Sequence, residues 1–507
     1  MSETFAQLAF GFSVALQPGY LYLALIGVVV GTLVGVLPGL GPVASMALLL
    51  PLTYSLGPTG ALIMFAGIYY GAMYGGSTTS ILLKIPGEAA SVMTCIDGHE
   101  MARQGRAGPA LGISAFGSFI AGTLSIIGLT LIAAPLARFA LRFSYPEYVA
   151  LMTLGLLLVV VLASGSLLKA FAMLGVGLVL SSIGQDVVSG MFRFTYGVPT
   201  LMDGFDLGPM IMGLFGVSEV LANIVSPTQR VIVQTRIRDL LPTREDWRRS
   251  WAAILRGSGI GFLLGALPGG GAIVSSFASY AVEKRVSKTP EQFGKGAIEG
   301  VAGPESANNA ASIGSFVPLL TFGIPSNIVM AIVMGALMIH GVTPGPTLIT
   351  ERPDLFWGVI ASMYIGNVVL LVLNLPLIGI WIQVLKVPYR VLFPLILVFC
   401  AVGSFSMNNN LFDVYMMTVF GVIGFLMKRY GYEPAVLVLA FVIGPILEQS
   451  LRQSLLLGDG SFMIFVTRPI SLTLMLFAAA LIVSSAIPAI GRRRRALVVA
   501  AVESSPK

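Results

Sequence analysis

A cluster of polar side chains lies in an apolar region of the second half of the chain, within the segment EGVAGPESANNAASIGSFVPLLTFGIPSN. The candidate site residues of this cluster are Glu305, Ser306, Asn308 and Asn309. At helical spacing the carboxyl and amide groups fall on one stripe with Ser312 and Ser315. Such a stripe can bind a carboxylate, or bind a cation through its oxygens. The alternative is that these groups only join neighbouring helices by hydrogen bonds.

The stripe should face a bundle interior or a water-filled cavity, because polar groups are costly in hydrocarbon. We expect its helix to begin at Pro304, since proline suits the first helical position. Glu305 would then lie near the positive end of the helix dipole.

A second polar group lies in the segment YGGSTTSILLKIPGE of the first half. Gly75 and Gly76 predict a helix break, with Ser77 as the N-cap of the helix that follows. On that helix Ser77, Ser80 and Lys84 would share one face, where hydroxyls and a cation can receive a carboxylate. The candidate site residues here are Ser77, Thr78 and Thr79. The alternative is ordinary capping, with the lysine reaching the membrane interface.

Two glycine-rich segments repeat one pattern, GVVVGTLVGVLPGLGP from Gly27 and GSGIGFLLGALPGGGA from Gly257, at an offset of 230 residues. Their regularly spaced glycines predict close helix packing. Their Pro-Gly turns interrupt the helix and expose backbone groups, which can bind anions at N–H ends and Na⁺ at carbonyls. The predicted site residues in the turns are Pro38, Gly39, Gly41, Pro268, Gly269 and Gly271. We predict a Na⁺ position at Gly39, Gly269 and Asn308.

An Ile-Pro turn follows the polar helix in each half, as KIPGE at residues 84–88 and as GIPSN at residues 323–327. We include Ser326 and Asn327 of the second turn in the site. The two halves together predict a substrate or ion site built from a broken helical hairpin that is present twice.

The composition places these elements in a membrane, because 56% of the 507 residues are hydrophobic and only 10% are charged. Continuous apolar runs favour helices over the alternating pattern of a barrel. We therefore predict an all-α polytopic membrane protein with about 12 transmembrane helices and re-entrant pieces. Two cysteines and two histidines form no zinc motif.

Charge sets the expected organisation, because arginine-rich loops stay on the cytoplasmic side. Residues 1–228 form the first repeat half, 229–256 a basic cytoplasmic linker, and 257–447 the second half. Residues 448–507 form a last span with a cytoplasmic tail that contains GRRRR. The linker contains a predicted capping box from Thr243 to Asp246. The repeats would then enter the membrane from opposite sides, as inverted repeats of secondary transporters do.

At these motifs the chain resembles the large membrane subunit of tripartite tricarboxylate transporters, the TctA-type permeases. The resemblance spans most of the chain and is carried by several segments in order, namely GVLPGLGP, YGGSTTSILLKIPGE, DGHEMARQGRAGPALG, LPGGGA, EKRVSK and EGVAGPESANNAA with GIPSN. It implies a multi-pass protein of the bacterial inner membrane, driven by a Na⁺ or H⁺ gradient and free of other cofactors. It also implies two partners, a small four-span membrane subunit and a periplasmic binding protein that delivers citrate or a related carboxylate.

Two other function classes compete with this carrier. A channel for small anions needs a continuous pore, usually with rings of like residues, whereas two related but unlike halves favour a carrier of elevator type. An enzyme with Ser306 or Ser77 as nucleophile needs a positioned base. Glu305 points elsewhere on the helix and histidines are few, so we expect no enzyme.

Overall fold

The computed structural model describes residues 2–37, 41–163, 166–186, 188–225, 240–385 and 389–486. The helices of the first half are α1 (Ser2–Ala15), α2 (Pro18–Val36), α3 (Gly41–Leu49), α4 (Gly57–Leu83), α5 (Val92–Arg103), α6 (Ala107–Ala140), α7 (Tyr145–Leu162), α8 (Leu167–Ser181), α9 (Leu207–Ile211) and α10 (Ser218–Val225). A π-helical turn, Met212–Val217, joins α9 to α10. Short 3-10 turns cover Pro51–Ser55, Ala89–Ser91 and Pro199–Leu201.

The helices of the second half are α11 (Arg244–Ala266), α12 (Gly271–Val286), α13 (Glu299–Gly314), α14 (Phe316–Phe322), α15 (Ile328–Ile339), α16 (Leu348–Glu351), α17 (Pro353–Asn374), α18 (Ile378–Val384), α19 (Tyr389–Asn408), α20 (Leu411–Arg429), α21 (Pro434–Leu457), α22 (Ile464–Thr467) and α23 (Pro469–Ala486). A 3-10 turn covers Pro290–Gln292. In the described ranges the only sheet is an antiparallel hairpin of β1 (Gly184–Gln185) and β2 (Phe192–Arg193).

This architecture confirms an all-α polytopic membrane protein. Seven helical stretches among the described residues are long and apolar enough to cross a membrane, and further apolar helices are shorter. The spans include α2, α6, α7 and α17, together with the continuous stretch Leu207–Val225. α11 begins at Arg244, inside the predicted basic linker, and continues into the second glycine-rich segment.

The start of α11 has the predicted capping box. The Asp246 amide donates to the Thr243 hydroxyl at 3.2 Å, and the Thr243 amide donates back to the Asp246 carboxylate at 3.0 Å. Arg106 also forms an ion pair with this aspartate. The cap fixes the point at which the helix that carries the second glycine-rich segment begins.

The repeated glycines bring two pairs of helices into backbone contact. A Cβ atom on Gly27, Gly31 or Gly35 of α2 would come closer than 3.0 Å to a carbonyl oxygen of α4. The same holds for Gly257, Gly261 and Gly265 of α11 against α13. The oxygens in question belong to Met64, Ile68 and Ala72 in the first pair, and to Gly303, Ala307 and Ala311 in the second. The packing prediction is confirmed, and the two halves use equivalent residues for it.

Two predicted helix boundaries are wrong. α4 runs without a break through Gly75 and Gly76, so Ser77 lies inside the helix and is no N-cap. A Cβ atom on Gly75 would clash with the Thr32 carbonyl of α2, and one on Gly76 would crowd the Glu88 side chain. These glycines therefore serve close packing, and α4 ends later, at the left-handed residue Lys84.

α13 begins at Glu299, so Pro304 is inside the helix and not at its first position. The first turn closes by a hydrogen bond from the Ala302 amide to the Ile298 carbonyl, 2.9 Å long. Glu305 therefore lies in the middle of the helix, away from the N-terminal end of the dipole.

Substituting valine for Gly261 should lower the melting temperature of the purified chain, because the new side chain would overlap the α13 backbone. Overpacking of this kind costs about 1–3 kcal/mol. Gly259 on the same helix is the matched control, since its added Cβ would meet nothing within 4 Å. Thermal unfolding in detergent checks this, and equal melting temperatures for Gly261→Val and Gly259→Val would contradict the packing account.

Candidate functional site

A cavity of about 510 Å³ lies between the two repeated halves. Four parts of its wall are turns at which a helix ends and the next helical segment begins. These turns are residues 41–43, 86–89, 269–274 and 327–329. These turns precede or begin α3, the 3-10 turn before α5, α12 and α15. A fifth helix, α21, also begins at the cavity, with Glu433 just before its first residue. The volume lies in the range of small-molecule sites.

The glycine-rich turns have the same local structure in both halves. Gly41 and Gly271 adopt left-handed conformations, with φ of 58° and 57°, which a residue with a side chain rarely adopts. One turn further on, Ser45 donates to the Gly41 carbonyl at 2.9 Å and Ser275 donates to the Gly271 carbonyl at 2.7 Å. The sequence repeat thus encodes two equivalent helix restarts beside one cavity.

The Ile-Pro turns are equivalent as well. Lys84 and Gly323 end the preceding helices in the left-handed conformation, with φ of 57° and 70°. Glu88 and Asn327 then stand at the N-caps of the next helical turns, in extended conformation. All four turns therefore direct the beginning of a helix toward the cavity.

The two turns of the second half are joined directly. The Gly269 amide donates to the Ser326 carbonyl at 2.8 Å. Asn327 next to it donates from Nδ2 to the hydroxyls of Ser315 at 2.9 Å and Tyr69 at 3.2 Å. Because Tyr69 belongs to α4, this amide links the second repeat to the first in the cavity wall.

The cavity wall contains both helix ends and acidic residues. Helix N-termini carry partial positive charge and unpaired N–H groups, which favour anions. No lysine or arginine lines the cavity in the part of the chain that the structure describes. Its charged side chains are Glu88, Glu219 and Glu433, and Lys428 forms an ion pair with Glu219 at 2.5 Å. Backbone amides in this arrangement can bind a carboxylate. The glutamates of the wall limit how much negative charge a bound ligand can bring.

The polar stripe of α13 forms a separate, fully buried group. The Glu305 carboxylate accepts hydrogen bonds from Ser77 of α4 and Thr94 of α5, and from Asn308 Nδ2 at 3.3 Å. Asn309 Nδ2 donates to the Ser118 hydroxyl of α6 at 2.7 Å. The group therefore joins four helices, and none of its side chains lines the cavity.

The predicted site residues thus divide into two sets. Gly41, Gly269, Gly271 and Asn327 line the cavity, whereas Ser77, Glu305, Ser306, Asn308 and Asn309 are buried behind it. Thr79 bonds the Val36 carbonyl at 2.7 Å, and Thr78 is buried on the same helix.

Four predicted site residues remain. Ser326 contributes its carbonyl to the joined turns, and Pro268 packs on Gly155 of α7. Pro38 and Gly39 lie outside the described residues. Of the three residues predicted to bind Na⁺, Gly269 and Asn308 belong to different sets, and Gly39 is not among the described residues.

Several residues of these two sets escaped the sequence prediction. Glu88 and Tyr69 line the cavity, while Thr94 and Ser118 complete the buried group. The equivalence of KIPGE and GIPSN was a signal for Glu88, because it occupies the position of Asn327. Nothing in the local sequence distinguishes Thr94 and Ser118 from other buried hydroxyls.

Among the described residues, no cluster of three or more histidine, cysteine, aspartate or glutamate side chains could hold a metal ion. A Na⁺ site built from carbonyls and amides would not need such a cluster. The structure therefore offers oxygen ligands at both sets without a preformed cage of carboxylates.

Comparison with known proteins agrees with the architecture. The family model described as "Tripartite tricarboxylate transporter TctA family" matches residues 21–439. The chain is 51% identical over 494 residues, 97% of its length and 98% of the relative's, to an "Uncharacterized 52.8 kDa protein in TAR-I ttuC' 3'region" of Agrobacterium vitis. It is 54% identical over 234 residues to an "Uncharacterized protein in TAR-II ttuC' 3'region" of the same organism, covering 46% of this chain and 97% of the relative. No solved structure matches. The chain is a member of the TctA family of tripartite tricarboxylate transporters.

Proposed function

We propose that this chain carries an organic carboxylate, citrate or a related acid, across the bacterial inner membrane under a Na⁺ or H⁺ gradient. The proposal rests on one observation, that two pairs of equivalent turns start helical segments at one cavity between the two halves. Backbone amides there can replace the water that solvates a carboxylate, and none of the described lining residues is a lysine or arginine that would hold the substrate too tightly.

The proposed partners follow from the tripartite family. A small membrane subunit and a periplasmic binding protein complete the system, and the binding protein delivers the substrate to this chain. We place the C-terminus in the cytoplasm, because the arginine-rich tail obeys the positive-inside rule. The chain itself catalyses no covalent chemistry in this account.

A carrier of elevator type accommodates the two halves best. The repeats would enter the membrane from opposite sides and move together past the remaining helices. Cysteines placed at Gly41 and crosslinked from either side of the membrane test this, and a turn that reacts from one side only would exclude the elevator. A channel for small anions remains the alternative, and unitary currents in a voltage-clamped bilayer would favour it.

The transport proposal is tested by reconstituting the chain with its two partner proteins. Labelled citrate should accumulate in the vesicles when a Na⁺ or an H⁺ gradient is imposed, and should not accumulate without one. Succinate and benzoate added in parallel test smaller carboxylates. Vesicles without the binding protein are the control. Accumulation of none of the three under either gradient would contradict the proposal.

A negative charge at the helix restarts should weaken substrate binding. Asn327→Asp keeps an N-cap acceptor but adds a carboxylate to the cavity, so KM should rise about tenfold or more, equivalent to at least ~1.4 kcal/mol of repulsion. Asn327→Ser, which caps without charge, is the matched control and should change KM less. Equal KM values for both variants would argue against an anion at this turn.

The buried group should be needed for transport although it does not line the cavity. Asn308→Ala removes a donor to the Glu305 side chain and leaves that buried carboxyl group with one hydrogen-bond partner fewer. We expect uptake to fall at least about tenfold, with the chain still assembled in the membrane. Ser312→Ala is the control, because its hydroxyl bonds the Asn309 carbonyl of its own helix at 2.8 Å. Normal uptake by Asn308→Ala would remove this amide from the mechanism.

A further inference from the structure

The two Ile-Pro turns are equivalent in backbone but differ in charge. Asn327 caps its helix by accepting from the Met330 amide at 3.1 Å, and Glu88 caps its helical turn by accepting from the Ala90 amide at 2.6 Å. An amide therefore performs the capping role in one half. The carboxyl group of Glu88 is not required for the cap and needs another explanation.

Glu88 is a buried residue of the cavity wall. It is only 7% exposed and lies in the wall between Gly87 and Ala89. Oε2 is occupied by the cap, whereas Oε1 has no hydrogen-bond partner within the described ranges. A buried carboxylate oxygen without a partner is costly, so this oxygen is a position at which a proton or a ligand would be stabilised.

The groups that face Glu88 do not neutralise it. Tyr69 of α4, Cys95 of α5 and Glu305 of α13 are close enough to interact with it electrostatically. Glu219 and Glu433 lie on the cavity wall, and Lys428 is paired with Glu219. The other ionisable residues of the helices packed on this turn do not line the cavity. They are Tyr70, Tyr74 and the exposed Lys84 on α4; Asp97, His99, Glu100 and Arg103 on α5; Tyr280, Glu283, Lys284 and Arg285 on α12; and Glu299 on α13.

We propose that Glu88 is the proton-carrying residue of the transport cycle, binding a proton when a carboxylate occupies the cavity and releasing it when the carboxylate leaves. This rests on the proposed function, because the second negative charge is that of the substrate. Two carboxylates that share one site do not both stay ionised, so the arrival of substrate makes one of them hold a proton. The proton binds Oε1 from the side of entry and is released on the other side, so one proton moves with each substrate.

The test uses vesicles that contain the chain and both partner proteins, with citrate, succinate and benzoate as probes. For each probe that the wild type transports, an imposed pH gradient should drive accumulation and a trapped pH dye should report proton movement. Glu88→Gln keeps an amide acceptor for the cap, as Asn327 does. It should lose gradient-driven accumulation at least tenfold while still exchanging labelled for unlabelled substrate.

Glu291→Gln, which changes an exposed carboxylate in the turn Pro290–Gln292, is the control and should behave as wild type. Transport without proton movement, or accumulation by Glu88→Gln equal to that of wild type, would overturn the proposal and leave carboxylate transport standing. If Glu88→Gln does not fold and therefore shows no exchange, Glu88→Asp is measured instead. This variant should restore part of the proton-coupled accumulation.

A second measurement does not depend on transport. An infrared difference spectrum of the purified chain between mildly acidic and mildly alkaline buffer should contain a protonated carboxyl band that is missing in Glu88→Gln. If none of the three probes is transported, the proposed function fails and this band still decides whether Glu88 exchanges protons. Identical spectra for both proteins would overturn the proposal.

Discussion

Backbone amides inside a membrane protein must find hydrogen-bond partners or face a polar cavity, and this constraint determines the centre of the molecule. Helical segments begin at two pairs of equivalent turns beside one cavity, and side chains cap only one N–H group at each Ile-Pro turn. The remaining first N–H groups make the cavity suited to an anion or to water. The charge that the helix ends supply is partial and spread over several amides, which suits a ligand that must bind and then leave.

The glycine contacts make this convergence possible. α2 lies against α4 and α11 lies against α13 without intervening side chains, so each broken helix starts again close to the Ile-Pro turn of its partner. In the second half the Gly269 amide bonds the Ser326 carbonyl directly. The proposed site and the stability of the fold thus depend on the same close packing. A mutation that separates the helices would displace two walls of the cavity together.

The buried Glu305 group is a second polar cluster that lies away from the cavity. Its hydrogen bonds reach α4, which precedes the Ile-Pro turn of the first half, and α5 and α6, which follow it. The residues around Glu305 can therefore both join helices and take part in a functional site. A carboxylate held by hydroxyls of several helices would respond to any movement of one helix relative to the others.

The sequence predicted the features that depend on local geometry. The turns at Gly41 and Gly271, the glycine packing and the Thr243 cap each follow from residue types at fixed spacing. The prediction failed where a glycine or proline is compatible with both a helix end and a helix interior. Gly75 and Gly76 permit close packing instead of breaking α4, and Pro304 is tolerated inside α13. The separation of the cavity from the Glu305 group could not be predicted, because it depends on how α5 and α6 pack around α13.

The most direct measurement of the central claim is a structure of the chain, with its small membrane subunit, determined in the presence of a carboxylate that it transports. We expect the carboxylate groups to lie within hydrogen-bond distance of backbone N–H groups in the segments 41–43, 86–89, 271–274 or 327–329. A substrate bound elsewhere, against basic side chains or around Glu305 with the cavity empty, would contradict it.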